Sequence, residues 1–161
     1  MTTITKAATR LRDLCTRHGD HPAARGATED EIAAIKETFA TLEFPLPSSL
    51  LDVYRITLGV PGVLNDQPVL MAPCTFSQPK VIGHVRFLSR QLEDSRKEGV
   101  LWLGHGNEAD LIIDRDGQCA LEPEFQDDGT VRLLEPTDFE AAFLAYVERH
   151  VAEITEEFEE A

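Results

Sequence analysis

The stretch LWLGHGNEADLIIDRDG, residues 101–117, decides the fold at the centre of this chain. Two apolar runs of strand length, at 101–104 and 111–114, flank a polar corner in which His105 stands between two glycines. The Asp-Gly pair at 116–117 is typical of a hairpin turn, because this pair adopts positive φ at little cost. The stretch therefore predicts a strand, a glycine corner, a second strand and a tight turn.

The same pattern of short apolar runs and turn residues continues on both sides of this stretch. Further short apolar or β-branched runs lie at 68–73, 118–123 and 130–136, and a second Asp-Gly pair stands at 128–129. Runs of this length separated by turn residues predict antiparallel hairpins. We predict an antiparallel sheet of about four to six strands, arranged as a meander.

Helices are predicted before, within and after this sheet. Five segments have helical periodicity or helix-forming composition: 3–18, 29–42, 50–58, 85–99 and 139–158. Capping boxes are predicted at Thr28–Glu31 and Thr137–Glu140, and Ser48 or Ser49 is predicted to cap the third helix. The fold class is α+β, with helices packed on one face of the antiparallel sheet.

Length and composition bound the class of protein. With 161 residues, of which 42% are hydrophobic, the chain is large enough for one core, so we predict a single domain over 1–161. No run approaches 18 apolar residues and the first 20 residues are broken by charge, which predicts a cytoplasmic chain without membrane span or signal peptide. Cys15, Cys74 and Cys119 are too widely spaced for a disulfide framework or zinc site, so we predict three buried thiols.

Charge is the most unusual property of the composition. The formal net charge is -14, and residues 106–140 contain eleven acidic side chains but only two basic ones, Arg115 and Arg132. Such a surface repels phosphate, which argues against nucleic acid as a partner. It attracts basic protein surfaces and speeds encounter with them. The alternative is that the acidic surface only maintains solubility.

Catalytic and phosphate-binding interpretations of the glycine corner are weaker. His105 has Glu108 and Asp110 nearby in sequence, but a general base also needs a placed nucleophile, and neither a Gly-x-Ser-x-Gly motif nor a Cys/His arrangement accompanies it. The corner also lacks the lysine of a phosphate loop. We predict that the protein is not an enzyme and uses no cofactor.

Two patterns partly match metal sites, and neither predicts one. The segment 114–118 has the alternating acids of a calcium loop, but the twelfth position, which should be a glutamate, is Phe125. Cys15, His18 and His21 are spaced three apart, yet Gly19 and Pro22 end the helix and no fourth ligand is evident.

Three segments of the chain carry a family resemblance: ATEDEIAAIKETFATLEFPLPSSLLDVYRITLG at 27–59, LWLGHGNEADLIIDRDG at 101–117 and TDFEAAFLAYVERHV at 137–151. In this order they resemble the SUKH superfamily, which is named partly after a fungal cell-wall synthesis regulator. The resemblance covers about residues 27–150, so the helix within 1–26 is an extra element and 151–161 forms an acidic end of the last helix. Family members usually follow the third helix with Asn-Gly or Gly-Gly, where this chain has LGVPG.

The resemblance implies an immunity protein. Bacterial members of the family are typically encoded beside toxins delivered by contact-dependent inhibition or type VI secretion, and they bind and block the cognate toxin domain in the cytoplasm. Many such toxins are nucleases with basic active sites, which an acidic partner would suit. The alternatives are a regulatory adaptor of the same family that binds a cellular partner and, less favoured, a small enzyme.

Candidate partner-binding residues follow from charge and aromatic character. Trp102 lies in an apolar strand run, so it is either a core residue or an interface anchor. The acidic loop residues are candidate contacts for a basic toxin, and the alternative is an ordinary solvated rim. The candidate set is Trp102, His105, Glu108, Asp110, Asp114, Asp116, Asp127 and Asp128.

Overall fold

The computed structural model describes residues 1–73 and 89–159, without the side chains of 89–92. The described residues form five helices: α1 (Thr3–His18), α2 (Glu29–Leu42), α3 (Ser48–Ile56), α4 (Ser89–Glu98) and α5 (Phe139–Phe158). These confirm the predicted helices as far as the description reaches. Residues 85–88 of the predicted fourth helix lie outside the described residues, and so does Cys74.

One of the three predicted helix N-caps is confirmed by the structure, and the other two are wrong. Thr28 caps α2, and Glu31 completes the predicted capping box by accepting a hydrogen bond from the Thr28 N–H at 2.9 Å. For α5 the predicted cap is wrong: Asp138 accepts from the Ala141 N–H at 2.8 Å, while Thr137 bridges to Cys119. The predicted serine cap of α3 is also wrong, because that helix already starts at Ser48 and has no side-chain cap.

The strands are short and all their pairings are antiparallel. They are β1 (Gly59–Val60), β2 (Leu70–Met71), β3 (Val100–Gly104), β4 (Leu111–Asp114), β5 (Cys119–Ala120), β6 (Glu122–Phe125) and β7 (Val131–Leu134). They pair as β1–β2, β3–β4–β5 and β6–β7. The α+β class is confirmed, but several small sheets replace the one predicted meander.

The central sheet is covered on both faces: helices pack on one face, as predicted, and the β6–β7 hairpin covers the other. Leu101, Leu103 and Ile113 belong to the main core, to which α1, α2, α3 and α5 also contribute buried side chains. On the other face a second small core contains Val100, Ile112 and Ala120 from the sheet and Val131 and Leu133 from β7. The chain bends after β5, so the β6–β7 hairpin folds over this face instead of extending the sheet edge.

Trp102 lies at the boundary between these two cores. Its side chain is half-buried and packs against both clusters, and its backbone pairs with Ile112 of β4. It is therefore neither a fully enclosed core residue nor a free surface residue.

Within residues 1–73 and 89–159, no helix has the length and apolar content needed to cross a bilayer.

Replacing Glu31 should destabilise the protein. Its buried carboxylate accepts from the Thr28 N–H and forms an ion pair with Arg25 at 2.6 Å, and the Arg25 hydrogen bond lowers the pKa of Glu31. We expect Glu31→Ala to lower the free energy of unfolding by about 1–2 kcal/mol in urea titrations, since a cap and a charged hydrogen bond are lost. Glu37→Ala, at an exposed position of the same helix, is the control; equal losses would contradict the assigned role.

Candidate functional site

The glycine corner between β3 and β4 holds His105 in a defined position. Nδ1 of His105 lies 3.4 Å from Oδ1 of Asp110, and both side chains are about a quarter exposed, at 23% and 24%. The imidazole also stacks on the Trp102 indole, with ring centroids 5.3 Å apart and planes 16° apart. The corner therefore orients an accessible imidazole through one carboxylate and one aromatic ring.

The two glycines around His105 are required by close packing. A Cβ at Gly104 would lie 2.2 Å from the carbonyl oxygen of Val69, and one at Gly106 would lie 2.6 Å from the His150 ring. The His105 N–H donates to the carbonyl oxygen of Pro68 at 2.9 Å. The glycines thus allow the corner to sit against the segment leading into β2 and against α5, and neither needs a phosphate to explain it.

Two buried polar side chains of α5 support the corner from below. The Tyr146 hydroxyl lies 2.5 Å from the carbonyl oxygen of Val69 and 3.0 Å from that of His105, and burial raises the Tyr146 pKa. His150 is 3% exposed and packs edge-on against Tyr146, with ring centroids 4.4 Å apart. Burial lowers the His150 pKa to about 4, although Asp110 opposes the shift, and Nε2 has no hydrogen-bond partner among the described residues.

The corner pairs a histidine with a carboxylate, as a catalytic site would, but the described residues place no nucleophile beside His105. No described serine, threonine or cysteine hydroxyl or thiol is hydrogen-bonded to His105. Burial raises the pKa of both Cys15 and Cys119 to about 12, which disfavours their thiolates. The cavity beside His105 and His150 measures about 10 Å³, far below the size of a substrate pocket.

The Asp-Gly segment after β4 is a hairpin turn, as the sequence predicted. The Asp114 carboxylate accepts from the backbone N–H groups of Asp116 and Gln118 at 3.0 and 2.9 Å, and Gly117 has a φ of 83°. The Cys/His spacing near the N-terminus brings no ligand set together either, because Cys15 is inside the core while His18 lies beside Glu159. No group of three or more potential metal ligands occurs among the described residues.

The structure divides the eight predicted contact residues among separate places. Trp102, His105 and Asp110 lie together, and Glu108 is exposed on the same corner. Asp114 and Asp116 lie at the other end of β4, about 13 Å away along four residues of strand, where Asp114 is engaged in its own turn. The eight candidate residues therefore do not form one cluster, and their part in partner binding stays a prediction.

Asp127 and Asp128 are exposed at the tip of the β6–β7 hairpin. The Asp128 carboxylate accepts from the Thr130 hydroxyl at 2.6 Å and the Thr130 N–H at 2.9 Å, and these hydrogen bonds lower the Asp128 pKa. Asp128 also lines a concavity of about 430 Å³ together with Asp94, Lys97, Glu98 and Gly129.

Phe125 is the residue that sequence reasoning missed as a site residue. It ends β6, is 69% exposed, and stacks with Trp102 at a centroid distance of 6.3 Å. Glu98 was also missed: burial and the nearby Asp94 raise the pKa of its carboxyl group, and the neighbouring Trp102 side chain opposes this rise. A signal for Phe125 did exist, since EPEFQDD places one large aromatic in an otherwise acidic segment. Its pairing with Trp102 joins positions 23 residues apart and needed the tertiary fold.

We name Trp102, His105 and Phe125 the aromatic patch. Trp102 contacts both of the other rings, so these three side chains form one surface feature edged by Glu98 and Asp110.

Comparison with known proteins adds no relative. We found no family model that matches the chain, and no significant match among curated proteins or solved structures. The SUKH resemblance therefore stays a prediction from sequence.

Proposed function

We propose that this chain is a SUKH-like immunity protein that binds and neutralises a cognate secreted toxin in the cytoplasm, by contact and without catalysis. The observation that carries the proposal is the aromatic patch with its acidic surroundings. Exposed aromatic side chains in a rigid frame are the usual energetic anchors of protein interfaces. Net charge of -14 adds attraction for a basic partner such as a nuclease active site.

Electrostatics favours a protein partner over nucleic acid or an anionic membrane surface. Nucleic-acid binding rests on lysine and arginine neutralising phosphates. Here the β6–β7 hairpin carries the carboxylates Glu122, Glu124, Asp127 and Asp128 with Arg132 as its one basic residue. None of the ion pairs among the described residues involves this hairpin, so no described cation neutralises its carboxylates.

Co-expression with the toxic domain encoded next to this protein is the direct test. We expect growth to be restored when the two are produced together, and a complex to elute as one peak from a sizing column. Growth arrest that is identical with and without this protein, together with separate elution, would reject the proposal. Capture of a housekeeping protein with no toxin gene nearby would instead support the regulatory adaptor.

The affinity of the complex should depend on salt. Exposed charges are screened beyond about 3 Å at 1 M ionic strength, against about 10 Å at 0.1 M. We expect the dissociation constant to rise at least about tenfold over this range, chiefly through slower association measured by stopped flow. An unchanged dissociation constant would remove the acidic surface from the binding mechanism and leave the immunity role to stand on the co-expression result.

A further inference from the structure

The exposed ring of Phe125 is the starting observation. Among the described residues, it is the most exposed large hydrophobic side chain that lies within a helix or strand. One side of the ring faces Trp102, and the remaining surface lies open. Large exposed aromatic rings on regular structure are typical of binding surfaces.

The aromatic patch is held rigidly. Phe125 pairs with Val131 in the β6–β7 register, and Val131 and Leu133 are anchored in the second core. Trp102 is held in place by packing against both the main core and the second core. A partner would meet preformed rings, so little conformational entropy is lost on binding.

Carboxylates beside the patch select the charge of the occupant. The concavity of about 430 Å³ between α4 and the hairpin tip is lined by Asp94, Glu98 and Asp128 against a single lysine, Lys97. Glu98 joins this concavity to the Trp102 ring. A second copy of this chain would bring the same carboxylates face to face, and like charges in contact oppose association.

We propose that the aromatic patch and the adjoining acidic concavity dock an arginine-bearing loop of the protein partner. The guanidinium would stack on the Phe125 or Trp102 ring while its N–H groups pair with Glu98 or Asp128. Arginine fits better than lysine because its planar head both stacks on aromatic faces and donates two parallel hydrogen bonds to a carboxylate. This inference rests on the proposed function in taking the partner to be a protein.

A peptide titration tests the patch without knowledge of the partner. Trp102 is the only tryptophan of the chain, so its fluorescence reports binding at the patch directly. The probes are six-residue peptides of alternating glycine with arginine, lysine or glutamate. We expect the arginine peptide to change the emission at the lowest concentration and the glutamate peptide to leave it unchanged. No change with arginine, or equal responses to arginine and lysine, would overturn the proposal.

Variants of the aromatic patch distinguish failure of the docking proposal from failure of the proposed immunity function. Phe125→Ala and Glu98→Gln should each weaken binding of the arginine peptide, and of the neighbouring toxin domain, by about tenfold. Phe158→Ala, which removes an aromatic side chain from the end of α5 outside the patch, is the matched control and should change binding less than twofold. Circular dichroism checks that each variant is folded, and Phe125→Tyr should restore binding.

The outcomes are distinct. If the toxin is bound and neutralised equally by the wild type and by both patch variants, the docking proposal is wrong and the immunity function stands. If the wild type fails to bind the toxin but the peptide series behaves as expected, the immunity function fails and the arginine site stands. Dimerisation at high concentration that Phe125→Ala abolishes would assign the patch to a second copy and overturn the proposal.

Discussion

Gly104→Ala should lower the free energy of unfolding by about 3 kcal/mol. The new methyl group would lie 2.2 Å from the carbonyl oxygen of Val69 and 2.6 Å from the Tyr146 hydroxyl, so backbone segments must separate. Overpacking of this kind costs about 1–3 kcal/mol, and loss of the buried Tyr146 hydrogen bond adds about 1 kcal/mol. Urea titration measures the loss, and the melting temperature should fall by about 6–12 °C.

Gly129→Ala is the control for this prediction. Gly129 has a φ of 88°, and a methyl group added there would meet no atom within 4 Å, so the substitution introduces backbone strain without a clash. We expect it to cost about 1 kcal/mol. If Gly104→Ala were tolerated as well as Gly129→Ala, the close approach of β3 to the segment before β2 would not exist.

His150 should make the protein markedly less stable in mild acid. Burial lowers its pKa from 6.5 to about 4, so between these values the unfolded chain binds a proton that the folded protein does not. Stability therefore rises with pH across this window, and the contribution of His150 is fully present above pH 6.5 and lost as the pH falls towards 4. The shift corresponds to about 3 kcal/mol.

The measurement is the free energy of unfolding as a function of pH for the wild type and for His150→Leu. Other groups, such as Glu31 with its lowered pKa, also lose stability in acid, so the difference between the two proteins is the informative quantity. We expect the wild type to lose about 2–3 kcal/mol more than the variant between about pH 7.5 and about pH 4.5. Above about pH 7 the two profiles should run parallel; parallel profiles down to about pH 4 would show that His150 is accessible to protons in the folded state.

The candidate site could be predicted only in part. Trp102, His105 and Asp110 were predicted from local chemistry, and they lie together because β3, its corner and β4 are adjacent in sequence. Phe125 and Glu98 join them through packing between distant segments, which periodicity does not encode. Asp114 was predicted as a contact from its charge alone, and only the structure shows that its carboxylate also accepts two hydrogen bonds within its own turn.

The fold shows the same division. Helix positions, the Thr28 capping box and both Asp-Gly turns follow from interactions within a few residues, so the sequence by itself determined them. The cap of α5 did not follow, because Thr137 is drawn into a backbone bridge with Cys119. In the corner at 104–106, only the structure shows that the glycines admit Val69 and His150.

The sequence by itself determined the α+β class, the acidic charge and the local turns, because each depends on neighbouring residues or on composition. Only the tertiary structure decided that β6 and β7 fold over the second face of the central sheet. This arrangement depends on which segment covers the apolar second face of the central sheet, and the segments that could do so are far apart in the chain. It is also the arrangement that places Phe125 beside Trp102 and so creates the surface on which the proposed binding depends.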